Sequence, residues 1–167
     1  VGAEICEDLW VADTPSTRLA QGGATLILNP SASDETVCKD DYRRTLLSAT
    51  SGRLVCGYVY ADAGWGESST DLIYAGHSLI AENGTILAQR RFETGLTVTE
   101  LDLEKLCHER QRMSTFPADA PDVFPQYFQL NVAETALTRP VAKNPFVPAD
   151  HGDRAARCQE ILTLSAL

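Results

Sequence analysis

Cys6 stands directly after a short apolar run and before two carboxylates, in Val1-Gly2-Ala3-Glu4-Ile5-Cys6-Glu7-Asp8-Leu9-Trp10. A thiol at a strand end projects from a sharp turn, and the amide of the next residue, Glu7, points towards the same space. Such a pair could act as nucleophile and oxyanion donor in acyl transfer. The carboxylates of Glu7 and Asp8 disfavour a thiolate, so a nucleophile here needs a cationic or basic partner. None is adjacent, because the lysines are Lys39, Lys105 and Lys143 and the histidines are His77, His108 and His151. On residue types alone, a small buried hydrophobe in a core strand is the favoured account of Cys6.

Further along, Glu67 and Asp71 flank Ser68-Ser69-Thr70 on a Gly-rich loop over residues 61–69, where carboxylates serve function or cap turns. That loop lacks the spacing of a dinucleotide or Walker phosphate cradle. Arg43 and Arg44 could bind carboxylates from an upstream part of the protein beyond this sequence or decorate a helix.

The elements that must position these groups read as an α/β chain. Ala24-Thr25-Leu26-Ile27-Leu28, bounded by Gly23 and Pro30, is a buried strand, with Ser31-Ala32-Ser33 as its exit loop. Residues 37–53 carry Tyr42, Leu46, Leu47 and Ala49 near helical spacing, and Gly52 marks the helix end. Leu54-Val55-Cys56-Gly57-Tyr58-Val59-Tyr60 is a second buried strand. Asn83-Gly84 between two apolar runs predicts a hairpin, since both residues tolerate positive φ. Residues 96–102 alternate like a half-exposed strand, and Asp102 caps a helix over residues 103–112. Beyond Met113, Pro117, Pro121, Pro125, Pro140, Pro145 and Pro148 predict an extended arm, closed by a short helix over residues 153–162.

With 167 residues and 44% hydrophobic content the chain suffices for one domain or part of one. The formal charge of −9 argues against nucleic-acid or anionic-membrane binding, which need clustered Lys and Arg. No apolar run approaches the ~20 residues of a membrane helix, and no signal-peptide pattern opens the chain, so a cytoplasmic protein is expected. Cys6, Cys38, Cys56, Cys107 and Cys158 are scattered without metal-ligand spacing, which predicts free thiols and no metal.

Glu4-Ile5-Cys6-Glu7-Asp8-Leu9-Trp10 resembles the nucleophile segment of the nitrilase (carbon–nitrogen hydrolase) superfamily, most closely the glutaminase domains of glutamine-dependent NAD synthetases. Leu28-Asn29-Pro30-Ser31-Ala32-Ser33, Asp41-Tyr42-Arg43-Arg44, Gly57-Tyr58-Val59-Tyr60, Gly66-Glu67-Ser68-Ser69-Thr70-Asp71-Leu72 and Gly84-Thr85-Ile86-Leu87-Ala88 resemble that family in the same order. Pro145-Phe146-Val147-Pro148 and Arg157-Cys158-Gln159-Glu160-Ile161 resemble the connector to a synthetase domain. The resemblance implies a partial α-β-β-α sandwich. Residues 1–114 would be the C-terminal half of the glutaminase domain, and residues 115–167 a Pro-rich arm and connector.

The resemblance also implies chemistry: Cys6 is the nucleophile that releases ammonia from glutamine through a thioester, for ATP-dependent amidation of nicotinate adenine dinucleotide. The family's catalytic glutamate and lysine precede the cysteine and are expected in a missing N-terminal half, leaving this chain inactive alone. Glu4 shares a face with Cys6 on a strand, and a structural role or one supporting the site's own residues from behind is expected for it rather than that of the base. Glu7 matches the partner of the substrate α-ammonium and Ser33 a substrate hydroxyl contact, although Ser33 could equally satisfy loop backbone. Lys39 could pair with the substrate carboxylate or sit on a solvated helix face. No cofactor is expected in this chain; ATP and magnesium belong to the missing synthetase domain. A homo-oligomer is expected, since a cut sheet edge invites pairing. The competing readings are another nitrilase-type amidase and a non-catalytic association module.

Overall fold

The structure, a computed structural model, describes residues 1–117, 122–131, 133 and 135–166. It divides into two compact units, residues 1–135 and 136–167. The first unit carries β1 (Gly2–Ala3), a 3-10 turn (Cys6–Leu9), α1 (Pro15–Gln21), β2 (Leu26–Ser31), α2 (Lys39–Leu54) and β3 (Gly57–Asp62). A second 3-10 turn (Trp65–Glu67), β4 (Ser78–Glu82), β5 (Thr85–Arg90) and α3 (Leu103–Arg112) follow. The five strands form one mixed sheet in sequence order. β1, β2 and β3 are parallel, whereas β4 and β5 continue antiparallel.

The register explains which face is covered. Along β2, Ile27 and Asn29 are buried while Leu28 and Pro30 between them are exposed, the period of two expected when helices cover one face. Ile27, Tyr58, Tyr60 and Leu79 from the strands meet Leu47 and Leu54 of α2 and Ala20 of α1 in one core. The other face receives Leu101, whose Cδ1 would lie 2.9 Å from a Cβ added at Gly57. The unit is thus a mixed α/β layer pair, the architecture expected for part of a sandwich.

The hairpin over Asn83-Gly84 forms as expected, with φ of 46 and 88 at its two turn residues. Its tip rests on α2: Ser48 Oγ donates to the Gly84 carbonyl, and a Cβ at Gly52 would fall 3.2 Å from Gly84 Cα. Gly52 therefore provides this close approach. The helix runs past it to Leu54 and ends at Val55, whose φ of 46 is left-handed. α3 begins as predicted, with Asp102 accepting from the Lys105 amide at 2.9 Å.

Three elements differ from the sequence reading. Residues 96–102 are not a strand. Side chains take up polar groups there: Arg90 donates to the Thr94 carbonyl at 2.8 Å and to that of Leu96, and the Asp102 amide donates to Glu82 Oε2 at 2.6 Å. α1 was not anticipated, although Pro15 at its first position after Thr14 is a helix-start signal. Phe116 packs against the core and Val123 lies against Gly22, so both belong to the first unit. Pro121 of the predicted arm lies outside the described residues. In the second unit α4 (His151–Ser165) is longer at both ends than the 153–162 expected, its start set by Asp150, which accepts from the Gly152 and Asp153 amides.

Arg110 of α3 ties the helix ends together. Its guanidinium donates to the carbonyls of Val55 (3.0 Å), Ala20 (3.3 Å), Ala24 (2.8 Å) and Leu54 (2.9 Å), and it lies over the Phe116 ring. These carbonyls belong to helix C-termini and the strand approach, where a cation is favoured. Arg110→Ala is expected to lower unfolding free energy by about 2–4 kcal/mol, measured by urea denaturation; an unchanged midpoint would contradict this role.

Candidate functional site

The carboxyl ends of the three parallel strands, where ligands bind in open α/β sheets, gather the polar groups. Cys6 follows β1, Ser31 and Ser33 end and follow β2, and Asp62 ends β3 opposite Ser31. Cys6 has a φ of 48, a left-handed conformation that costs a residue with a β-carbon about 1–3 kcal/mol. Several contacts hold it. The Ile5 amide donates to Asp8 Oδ2 at 2.7 Å, the Asp8 amide to the Ile5 carbonyl at 3.0 Å, and Leu9 is fully buried in the core. From the sheet side, Asn29 Oδ1 accepts from the Cys6 amide at 3.0 Å.

Asn29 opens a buried chain. Its Nδ2 donates to the Tyr58 hydroxyl at 3.1 Å, Tyr58 donates to Glu4 Oε1, and Glu4 Oε2 accepts from the Ser16 amide at 2.8 Å. Glu4 and Asn29 are buried. Burial first, and the hydrogen bond to Glu4 second, push the Tyr58 hydroxyl far above the usual phenol range. The structural reading of Glu4 fits this placement.

The other expected residues are distributed around the turn. Cys6 is half-buried and Glu7 exposed. Ser33 is buried; its amide donates to Asp62 Oδ1 at 2.8 Å, and its Oγ accepts from Arg43 at 3.4 Å. Lys39 is not on a solvated face: Nζ donates to the Asp34 carbonyl and to Asp34 Oδ1, both at 2.7 Å, and lies 5.4 Å from the Trp10 ring centroid. Trp10 in turn stacks on Tyr42, with centroids 5.6 Å apart. The Lys39 ammonium and its hydrogen bond lower the Asp34 carboxyl below its ordinary value. Lys39 is thereby brought beside the Cys6–Leu9 turn, and Ser33 to a second cluster. Glu67 and Asp71 are exposed on the loop, where Ser68 Oγ accepts from the Tyr74 amide at 3.0 Å.

That second cluster is largely invisible in the sequence. Arg43 is fully buried, not a helix decoration, and donates to Glu35 Oε2 and His77 Nδ1, both at 2.9 Å. Arg91 adds a 3.2 Å contact to Glu35 and a 3.0 Å contact to Asp40. His77 stays neutral, its pKa lowered by burial and then by Arg43, so Nδ1 can accept. Asp62 Oδ1 takes two amides, from Ser33 and Ala63, whereas Oδ2 is buried without a partner. Burial pushes Asp62 up to about 6 despite those bonds and the Arg43 charge. All five cysteines are free, and burial pushes Cys56 up to about 12, an unreactive core thiol. Among the described residues no group of three or more His, Cys, Asp or Glu side chains could hold a metal. No helix is long and apolar enough to cross a membrane.

The parallel strands, the helices that cover them and the left-handed cysteine turn at the strand ends define an α/β protein. The carbon-nitrogen hydrolase family model matches residues 1–110, and the chain belongs to that family. Glutamine-dependent NAD(+) synthetase of Mycobacterium tuberculosis is 38% identical over 94% of this chain, which corresponds to 25% of that protein. The structure of glutamine-dependent NAD+ synthetase from Acinetobacter baumannii matches with a TM-score of 0.52 and 29% identity, over 56% of this chain and 18% of that one. Saccharomyces cerevisiae Nit3, a nitrilase superfamily member, shares the fold, with a TM-score of 0.56 and 23% identity over 68% of this chain and 41% of Nit3. The chain spans about a quarter of the length of the M. tuberculosis relative it matches.

Asp62 supplies a test of the electrostatics. Its folded-state pKa of about 6 exceeds the ~3.9 of an unfolded Asp. The folded state therefore holds the proton more tightly, and stability falls as pH rises from about 4 through 6. Asp62→Asn keeps an oxygen for both amides, so it is expected to be more stable than the parent at pH 7, with the advantage gone below pH ~4. Parallel thermal-melt profiles across that window would refute the assignment.

Proposed function

We propose that this chain is the nucleophile-bearing part of a glutamine amidohydrolase that feeds ammonia to an NAD synthetase. The observation that carries the reading is the positive-φ turn at Cys6 within a segment similar to the glutamine-dependent relatives. Cys6 Sγ attacks the side-chain amide carbon of glutamine, and the tetrahedral oxyanion is received by the Glu7 amide and by a lysine from outside this chain. A glutamate, also from outside, takes the thiol proton and passes it to the departing ammonia. Water then cleaves the γ-glutamyl thioester to glutamate and regenerates the thiol.

The substrate-binding roles follow from chemistry. The exposed Glu7 carboxylate suits the α-ammonium. Ser33, just after β2 and beside Asp62, is assigned the substrate's polar end through its hydroxyl. Lys39 spends two hydrogen bonds on Asp34 and retains a third donor for the α-carboxylate. Residues 1–114 act as the hydrolase half and residues 115–167 as a connector. Ammonia passes to a synthetase portion outside this chain, where ATP and magnesium serve amidation of nicotinate adenine dinucleotide. We place the protein in the cytoplasm as a homo-oligomer that binds neither nucleic acid nor membrane.

Cys6→Ala in the full-length protein is expected to cut glutamine-dependent NAD formation by roughly a thousandfold or more, while synthesis from free ammonia continues at the parental rate. Retained glutamine use would overturn the assignment.

A further inference from the structure

We propose that Glu4 is a positioning residue for the nucleophile: its carboxylate sets the direction of the hydrogen-bond chain that ends on the Cys6 amide. Resting on the reading of Cys6 as nucleophile, the inference concerns how the thiol is held. An ionised carboxylate only accepts. With Ser16 N–H on one oxygen, the other oxygen of Glu4 takes the Tyr58 proton. Tyr58 oxygen is then left as an acceptor, and among the described residues Asn29 Nδ2 donates to it. With its amide nitrogen committed, Asn29 must present Oδ1 to the Cys6 N–H. Each orientation follows from the one before, and all of them from the charge on Glu4.

An isosteric amide breaks the sequence. Gln at position 4 would use Oε1 for the Ser16 amide and turn Nε2, a donor, towards Tyr58. The phenol proton must then point at Asn29, which flips and sets Nδ2 against the Cys6 N–H, or the phenol proton loses its acceptor. Either result loosens the left-handed turn at Cys6.

The test uses the full-length protein with Glu4→Gln, Tyr58→Phe and the double variant, assayed with glutamine and with free ammonia. Each single variant is expected to lose roughly ten- to hundredfold in glutamine-dependent kcat. KM for glutamine should stay within about twofold and the ammonia-dependent rate should be unchanged. The double variant should be no worse than the weaker single, because both cut the same chain. Parental kcat in Glu4→Gln, multiplicative losses in the double variant, or a parallel fall in the ammonia-dependent rate would overturn the proposal. Cys6→Ala in the same assays separates the two claims: if it keeps glutamine use, the nucleophile reading has failed, whereas its loss beside an unaffected Glu4→Gln defeats only the positioning role.

Discussion

A carboxylate buried beneath the left-handed turn at Cys6 is the constraint on which the local structure depends. Desolvating Glu4 is costly unless hydrogen bonds compensate, and the protein supplies them from the Ser16 amide at the start of α1 and from Tyr58 in β3. These bonds to a charged group are worth about 1.5–3 kcal/mol each, more than the ~1 kcal/mol of the neutral bond between Asn29 and the Cys6 amide. The left-handed backbone at Cys6 costs about as much as that neutral bond can return or more. The strain therefore persists because β1, α1, β2 and β3 are all fastened to the same few atoms.

A second buried set, Arg43 with Glu35 and His77, does comparable work at the start of α2. Removing one partner of such a pair leaves an uncompensated buried charge, typically at a cost of about 3–5 kcal/mol. Arg43 also reaches Ser33, and Ser33 reaches Asp62, so the end of β2 is coupled to the end of β3. The stack of Tyr42, Trp10 and Lys39 connects α2 to the Cys6–Leu9 turn from the solvent side. The turn is thus held from below by hydrogen bonds and from the side by aromatic contact.

Features with local causes were legible in the sequence. Asn83-Gly84 announces its turn because the required φ values belong to those residue types, and Asp102 announces α3 because a side-chain cap acts within three residues. The thiol at a strand end was legible as a pattern in Glu4-Ile5-Cys6-Glu7, although neither its positive φ nor its support was. Those supports are long-range: Tyr58 and Asn29 come from strands whose alignment with β1 is a tertiary fact. Arg43 was left open between binding carboxylates and decorating a helix, because helical spacing alone does not reveal that Glu35 and His77 converge on it. Residues 96–102 alternate in polarity, yet alternation does not create a neighbouring strand, and Arg90, Glu82 and Gly57 claim that segment instead. Placing the boundary of the first unit at residue 135 required contacts of Phe116 and Val123 that no Pro pattern encodes.

The measurement that bears most directly on the account is covalent trapping. The full-length protein would be treated with a diazoketone analogue of glutamine, then digested and mapped by mass spectrometry. A single adduct on Cys6, suppressed by excess glutamine, is the predicted result. Labelling spread over the exposed Cys38, Cys107 and Cys158, or a Cys6 that stays unmodified while glutamine is still consumed, would contradict the claim that the strained turn exists to present this thiol.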